Sequence, residues 1–424
     1  MRVLIAGAGI TGLTAALSLH AAGIDALVVD PVPELKPLGL GINLLPHAVR
    51  ELTELSLGDA LARTGVETAE QAHFDSRGGF IWSEPRGRGL GYRWPQYSIH
   101  RGRLQMILLE AVRGRLGPDA VLTGTAVIGF QTGDGEVRVQ LSSVPNGSSL
   151  LSSADVLLGA DGLYSAVRAR LHPGEPPPRW SGVMMWRGVA EAEPFGSGAT
   201  VAIAGSTTSV KFVVYPIARS GGGKVLLNWV AEVMTGGDSA PVSPDWTREG
   251  RLAEVLPYFA DWRFGWLDVP ALMERTAEIL QYPMVDRDPL PSWGAGQASG
   301  RVTLAGDAAH PVYPIGSNGG SQAIVDARVL AHSLATAGPA QAGVAAYEAA
   351  RVAVTNDIVL ATRSMPVEAV LDMVRDRAPD GFDRIEDVLS PAELSKLRDA
   401  YRATSQQDVA TLNERPSLTP VMPR

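Results

Sequence analysis

The stretch RVLIAGAGITGLTAALSLHAAGIDALVVD, residues 2–30, fits a strand, a glycine turn, a helix and a second strand into 29 positions. RVLIA is an apolar strand candidate. Gly7, Gly9 and Gly12 follow it at once in the G-x-G-x-x-G spacing, with Ala8, Ile10 and Thr11 between them. The helix ends at Gly23, and DALVVD finishes on Asp30, 18 positions after Gly12. A carboxylate there accepts hydrogen bonds from a ribose diol, while the pyrophosphate rests on the helix N-terminus. The unit therefore reads as a dinucleotide-binding βαβ motif. An ordinary βαβ unit would leave three positions without side chains unexplained. The motif alone does not choose between NAD(P) and FAD.

Two later stretches repeat the strand-to-turn pattern. In ADVLLGADGLYSAVRARL, residues 154–171, an apolar strand runs into Asp161 and Gly162, and a helix with Arg168 on its first turns follows. Taken alone, Asp161 reads first as a helix cap. In RVTLAGDAAHPVYPIGSNGG, residues 301–320, a strand reaches Gly306 and Asp307, and the connection is expected to run to Gly320 before a helix opens at Ser321. Gly316, Gly319 and Gly320 admit close backbone approach there, and the free N–H groups of the next helix suit an electron-rich or anionic group.

The three motifs, in that order, resemble the FAD-dependent aromatic hydroxylases of the p-hydroxybenzoate hydroxylase type, over about residues 1–365. The resemblance implies an α/β fold: a Rossmann-like FAD-binding domain with an inserted antiparallel-sheet substrate domain and a C-terminal helical segment. It implies cofactor contacts from the Gly7–Gly12 turn, Asp30, Asp161, Gly162, Arg168, Gly306 and Asp307, the last on the ribityl chain. Gly316, Ser317, Asn318 and Gly319 are then expected at the flavin pyrimidine edge, with Pro314 beside the reacting ring. Pro314 and backbone Gly316 are the catalytic candidates, and no side-chain acid or base is assigned. His310 is read as structural. Arg101, opening the helix in YSIHRGRLQMILLEAV, Gln105 one turn on, and Gly39 and Gly41 in PLGLGINLLP complete the cofactor set. An arginine at a helix N-terminus is unfavourable without an anion nearby. The longer stretches WSEPRG, MMWRGV and LQYPMVDRDPLPSWG are similar to the bacterial phenazine-carboxylate monooxygenases of pyocyanin biosynthesis, which implies hydroxylation with loss of a ring carboxylate.

Composition sets limits on this reading. The 424 residues are 45% hydrophobic, enough for more than one domain. A balance of 37 basic to 45 acidic residues, net −8, argues against nucleic acid as a partner. With no cysteine there is no disulfide, redox dithiol, thiolate metal site or cysteinyl flavin link, so FAD is expected to be non-covalent and a cytoplasmic setting is permitted. No metal ligands are assigned. No uninterrupted apolar run suits a transmembrane helix. WGAGQASG, residues 293–300, precedes a strand instead of following one, so no second dinucleotide fingerprint is found. NADH or NADPH is then a transient reductant and O₂ the co-substrate; the resemblance implies oxygen transfer to the ring through a C4a-hydroperoxyflavin.

The nine tryptophans all lie between Trp82 and Trp293. Residues 181–285 hold strand-like runs that suggest an antiparallel sheet over the flavin, its inner face the wall for a small flat aromatic substrate. Alternation puts Met185 and Arg187 on one face of the first strand, with Trp186 opposite, and Tyr215 on the matching face of the next. Met185, Arg187, Tyr215 and Gln281 are the substrate candidates. The expected division is 1–72, 99–178 and 286–365 for the FAD-binding domain, 73–98 and 179–285 for the substrate domain, and 366–424 for a helical segment. That segment would dock on the body or on a second subunit, leaving a homodimer open, and end in an extended or mobile tail. Two other functions fit the same motifs: a flavin monooxygenase tailoring a polyketide or indole by hydroxylation or epoxidation, and a non-catalytic flavin-fold binding protein.

Overall fold

The computed structural model describes residues 1–424 except 134, 145–146, 238–244, 246, 295, 365–367, 406–407 and 421–424. The expected boundary at 365/366 and the last four residues of the tail lie outside the described residues.

A five-stranded parallel sheet carries the three motifs. Its order is Val302–Leu304, Val156–Gly159, Arg2–Ala6, Asp25–Asp30, Val121–Thr123. The central strands are apolar on both faces because helices cover one and a three-stranded sheet of Thr125–Gly133, Glu136–Ser143 and Ser149–Ala154 packs on the other, and Val3, Leu4 and Ile5 are at most 1% exposed. Register aligns the motifs: Ala6 sits beside Gly159, and Gly159 beside Leu304. Three turns far apart in sequence thus leave neighbouring strands at one level, on the carboxyl edge where open α/β sheets bind ligands. The Ile10–Ala21 helix packs directly on the Asn318–Thr336 helix beside this sheet. The latter begins at Asn318, three residues before the expected Ser321, and takes Gly319 and Gly320 into its first turn.

A second sheet of seven strands runs in the order Ile279–Asp286, Arg179–Ala192, Val225–Met234, Val210–Arg219, Thr200–Gly205, Glu70–Phe74, Phe80–Pro85. It is mixed, not purely antiparallel: Thr200–Gly205 lies parallel to Glu70–Phe74. Period-2 alternation divides its residues. Trp186, Phe212 and Trp229 face a core with Phe259, Trp262 and Met273, while Met185, Val230 and Tyr282 face Tyr313 and Ile315. A helix over Ala369–Arg377 closes part of this sheet, burying Val370, Leu371 and Val374 against Ile81, Trp82 and Ile203.

The tail is neither free nor mobile through residue 419. Arg50 donates to the Leu412 and Pro416 carbonyls at 3.0 Å each, Arg415 pairs with Glu51, and Arg328 donates to Thr419 Oγ1 at 2.7 Å. Buried charges on two helices of the FAD-binding half need these partners, and the tail supplies them. Among the described residues no helix is long and apolar enough to cross a membrane.

Candidate active site

The glycine turn has the shape its spacing demands. A Cβ on Gly12 would lie 1.9 Å from the Gly7 carbonyl oxygen, and one on Gly7, at φ 105°, 2.4 Å from the Ala160 oxygen. A Cβ on Gly9 would meet nothing within 4 Å, so that glycine borders open space at the helix start. Asp30 Oδ2 accepts from the Ala8 N–H at 2.7 Å, and Gln105 donates to the Ala8 carbonyl at 2.8 Å, holding the turn from two sides. Thr11 packs on Gly306 so closely that a Cβ on that glycine would sit 2.4 Å from its hydroxyl.

Asp161 does cap a helix: Oδ2 accepts from Ala166 N–H at 2.8 Å. Its Oδ1 is buried without a protein partner, and burial pushes the carboxyl up. Arg168 does not reach this region as a cofactor contact. It is 1% exposed, pairs with Glu175 at 2.5 Å, and donates to the Ala308 and Ala309 carbonyls at 3.0 and 2.8 Å. Its guanidinium ties two motif turns together and leaves no face for a ligand.

A cavity of about 320 Å³ opens between the two sheets. On one side it is lined by Gly39, Gly41, Arg101 and Asp307, and by the loop residues Pro314, Gly316, Ser317, Asn318 and Gly319. Gly316 (φ 69°) and Ser317 (φ 59°) both adopt the left-handed conformation, which at Ser317 costs on the order of 1–2 kcal/mol. The loop turns there so that the Asn318–Thr336 helix points its N-terminus at the cavity. Asp307 is accessible from the cavity yet walled by protein on its other sides; that crowding pushes its carboxyl up, and Arg101 and His310 pull it down. His310 itself bonds Asp326 at 2.5 Å, away from the cavity.

The opposite wall is the seven-stranded sheet. Met185, Arg187 and Tyr215 line it; Gln281 does not. Gln281 pairs across strands with Trp186, so it shares that residue's outward face, and its neighbours Leu280 and Tyr282 enter the cavity instead. The apolar set Leu280, Tyr282 and Met284 is the sequence signal that would have placed them. Arg187 donates to Tyr282 Oη at 2.7 Å and to the Gly41 carbonyl at 2.8 Å, while its Nε is buried without a partner. Among the described residues it forms no salt bridge, although its charge is held firmly. Asn228 accepts from Gly41 N–H at 2.7 Å, and among the described residues no tryptophan lines this wall. Glu232 and Glu368 also line it, residues for which the sequence held no motif.

The open space at Gly9 and Gly162, the unpartnered Asp161 oxygen, and an accessible Asp307 beside a helix N-terminus fit an extended dinucleotide that ends in the cavity. Comparison with known proteins agrees. The FAD binding domain family matches residues 1–281 and 296–362. The phenazine 1,6-dicarboxylic acid hydroxylase PhzS of Lysobacter antibioticus is 45% identical over 95% of this chain and 96% of its own. The chain belongs to the FAD-dependent aromatic hydroxylases. This hydroxylase is also 35% identical to the aurachin C monooxygenase/isomerase of Stigmatella aurantiaca, over 85% and 87% of the two chains. Its fold matches that of Klebsiella pneumoniae HpxO, solved with FAD and uric acid, with a TM-score of 0.75 at 24% identity over 95% and 97% of the chains. The hydroxylase is thus a flavoprotein monooxygenase that uses FAD, NAD(P)H and O₂.

Proposed function

We propose that this monooxygenase hydroxylates a carboxylated polycyclic or heteroaromatic ring of the phenazine type, with or without loss of the carboxylate. The observation that carries the reading is Arg187: a guanidinium with no salt bridge among the described residues, its nearest lining acid Glu232 one strand away, facing the glycine loop. A buried cation of this kind calls for an anion, and its planar fork matches a carboxylate. The identity to a phenazine dicarboxylate hydroxylase supports the ring class.

Bound FAD supplies hydride acceptance from NAD(P)H and oxygen activation. One oxygen atom enters the ring and the other leaves as water, for one NAD(P)H consumed. The protein's own residues bind, orient and shield. The Gly7–Gly12 turn, Asp30, Gln105, Asp161 and Gly162 would hold the dinucleotide, and Gly306, Asp307 and Arg101 its ribityl side. Gly39, Gly41 and the Gly316–Gly319 backbone would face the flavin, where aligned N–H groups and the helix dipole favour negative charge. Pro314 would border the reacting edge. Leu280, Val230, Val213 and Ile203 exclude water from the ring face, which suppresses hydrogen peroxide release. The division into an FAD-binding domain at 1–72, 99–178 and 286–365 and a substrate domain at 73–98 and 179–285 goes with this reading.

The test is anaerobic oxidation of NADH and NADPH by the purified yellow protein, with and without phenazine-1-carboxylate and simple hydroxybenzoates. Reduction accelerated by the phenazine acid is expected. Acceleration by none of these aromatics removes the substrate class, and a protein that stays colourless after reconstitution with FAD removes the catalytic reading.

A further inference from the structure

A buried ionic cluster runs along the cavity wall, starting one strand over from Arg187. Lys211 Nζ is 2.8 Å from Glu232 Oε2 and 2.5 Å from Glu368 Oε2, with the three side chains 2%, 9% and 4% exposed. Register puts the cluster on the cavity face. Met185 is opposite Glu232 and Glu232 opposite Lys211, while the next row runs Arg187, Val230, Val213, Ile203. Burial works against the Lys211 charge, but the two carboxylates outweigh it and hold the ammonium up. Burial raises the Glu232 carboxyl against the pull of Lys211. Of the other charges nearby, Arg187 on the adjacent strand attracts Glu232, Arg86 faces Glu84 at 3.5 Å, and His73, lowered to about 3 by burial, is neutral. Two acids share one base, and both acids line the cavity whereas the base does not.

We propose that Lys211, Glu232 and Glu368 form the specificity-determining end of the pocket, selecting an aromatic with one carboxylate and rejecting one that carries a second carboxylate on its far ring. The proposal rests on the reading of Arg187 as the carboxylate anchor. A flat ring lying on Val230, Val213 and Ile203 is held by Arg187 at one end. Glu232 stands on the strand next to Arg187, and two strand spacings, roughly 10 Å, separate the Arg187 and Lys211 strands, so a multi-ring substrate passes Glu232 and its far edge arrives beside Glu368. Their oxygens accept hydrogen bonds from an N–H or O–H donor and repel a second carboxylate, which would be desolvated beside two acids that share Lys211 once the first carboxylate occupies Arg187. Glu368 precedes the Ala369–Arg377 helix, beyond residue 362 where the family match stops. Asp372 anchors that helix by accepting from Ser206 Oγ at 2.6 Å and Thr207 N–H at 3.1 Å. Selectivity is thereby written partly outside the shared domain.

The test measures dissociation constants from the perturbation of the flavin spectrum in the FAD-loaded protein at pH 8. The ligands are phenazine-1-carboxylate and phenazine-1,6-dicarboxylate, and the proteins are wild type, Glu368→Gln and Glu232→Gln. Wild type is expected to bind the monocarboxylate at least about tenfold more tightly, a difference of roughly 1.4 kcal/mol. Each glutamine variant is expected to bring the two within about threefold by tightening the dicarboxylate. Equal or tighter dicarboxylate binding by wild type overturns the proposal, as does an unchanged ratio in both variants. If one variant loses flavin, the wild-type ratio and the other variant decide. If neither phenazine, nor benzoate, perturbs the flavin in any of the three proteins, the aromatic-carboxylate reading itself has failed, an outcome distinct from binding without selectivity.

Discussion

Gly9 and Gly12 stand three residues apart and are glycine for different reasons. Gly12 has no room for a methyl group against the Gly7 carbonyl, whereas Gly9 has nothing around it. Gly12→Ala is therefore expected to destabilise the fold by several kcal/mol and give little soluble protein. Gly9→Ala should keep its melting temperature as apoprotein and lose affinity for FAD, by reconstitution titration, because only the cofactor occupies that space. Arg187→Met keeps the bulk of the side chain and removes the charge. It is expected to raise KM for an aromatic carboxylate by about 30-fold or more, as loss of a charge-assisted bond worth ~2–3 kcal/mol implies, and to leave an uncharged analogue much less affected. These positions were legible because backbone geometry forces the residue type at the glycines and because strand parity places Arg187 with Met185. Arg168 and Gln281 were misread because their partners lie elsewhere: Ala308 and Ala309 follow Arg168 by some 140 residues, and a cross-strand neighbour fixes the face of Gln281.

Elements were legible where periodicity is long and sequence-local, as in the Ile10–Ala21 helix and the Asp25–Asp30 strand. The Thr200–Gly205 strand, TVAIAG, gave no alternation because every residue in it is buried, and its parallel pairing to Glu70–Phe74 has no local signature. The helix start at Asn318 was hidden by Gly319 and Gly320, poor helix formers whose lack of a side chain admits Ile42: a Cβ on Gly320 would lie 2.6 Å from its Cδ1. The C-terminal elements are structural parts, not an appendage. Deleting residues 368–424 would uncover Ile81, Trp82 and Ile203 and leave Lys211 with one acid partner. The truncated chain is expected to aggregate, and to bind an apolar dye if recovered. Deleting only 415–424 removes the Arg415 and Thr419 contacts from Glu51 and Arg328. Several kcal/mol of buried-charge pairing are at stake, so a melting temperature lower by a few degrees is expected, with the flavin spectrum retained.

At the scale of the whole molecule, two buried histidines make stability depend on pH. Burial lowers both His47 and His73 to about 3, whereas in the unfolded chain each takes up a proton near 6.5. The unfolded state therefore binds more protons between those limits. Their stabilising effect is complete above the unfolded value and is lost as pH falls toward 3. At pH 5 the loss is on the order of 2 kcal/mol for each histidine. The urea midpoint is expected to drop between pH 7.5 and 5, and less steeply in His73→Gln. The sequence disclosed the global plan through three motifs in order. It did not disclose that their strands are neighbours at one level, since that follows from the register of Val3 with Val156 and of Leu157 with Val302. This register also governs how the protein is made. The sheet that begins with Val3 cannot be completed until the Val302–Leu304 strand has left the ribosome, roughly 15–60 s after initiation at common elongation rates. Through that interval the Val156–Gly159 strand waits with an open edge, a template for pairing with another nascent chain. The yield of soluble enzyme is then decided largely during synthesis, by chaperone supply and temperature, before the finished fold exists to be stable or unstable.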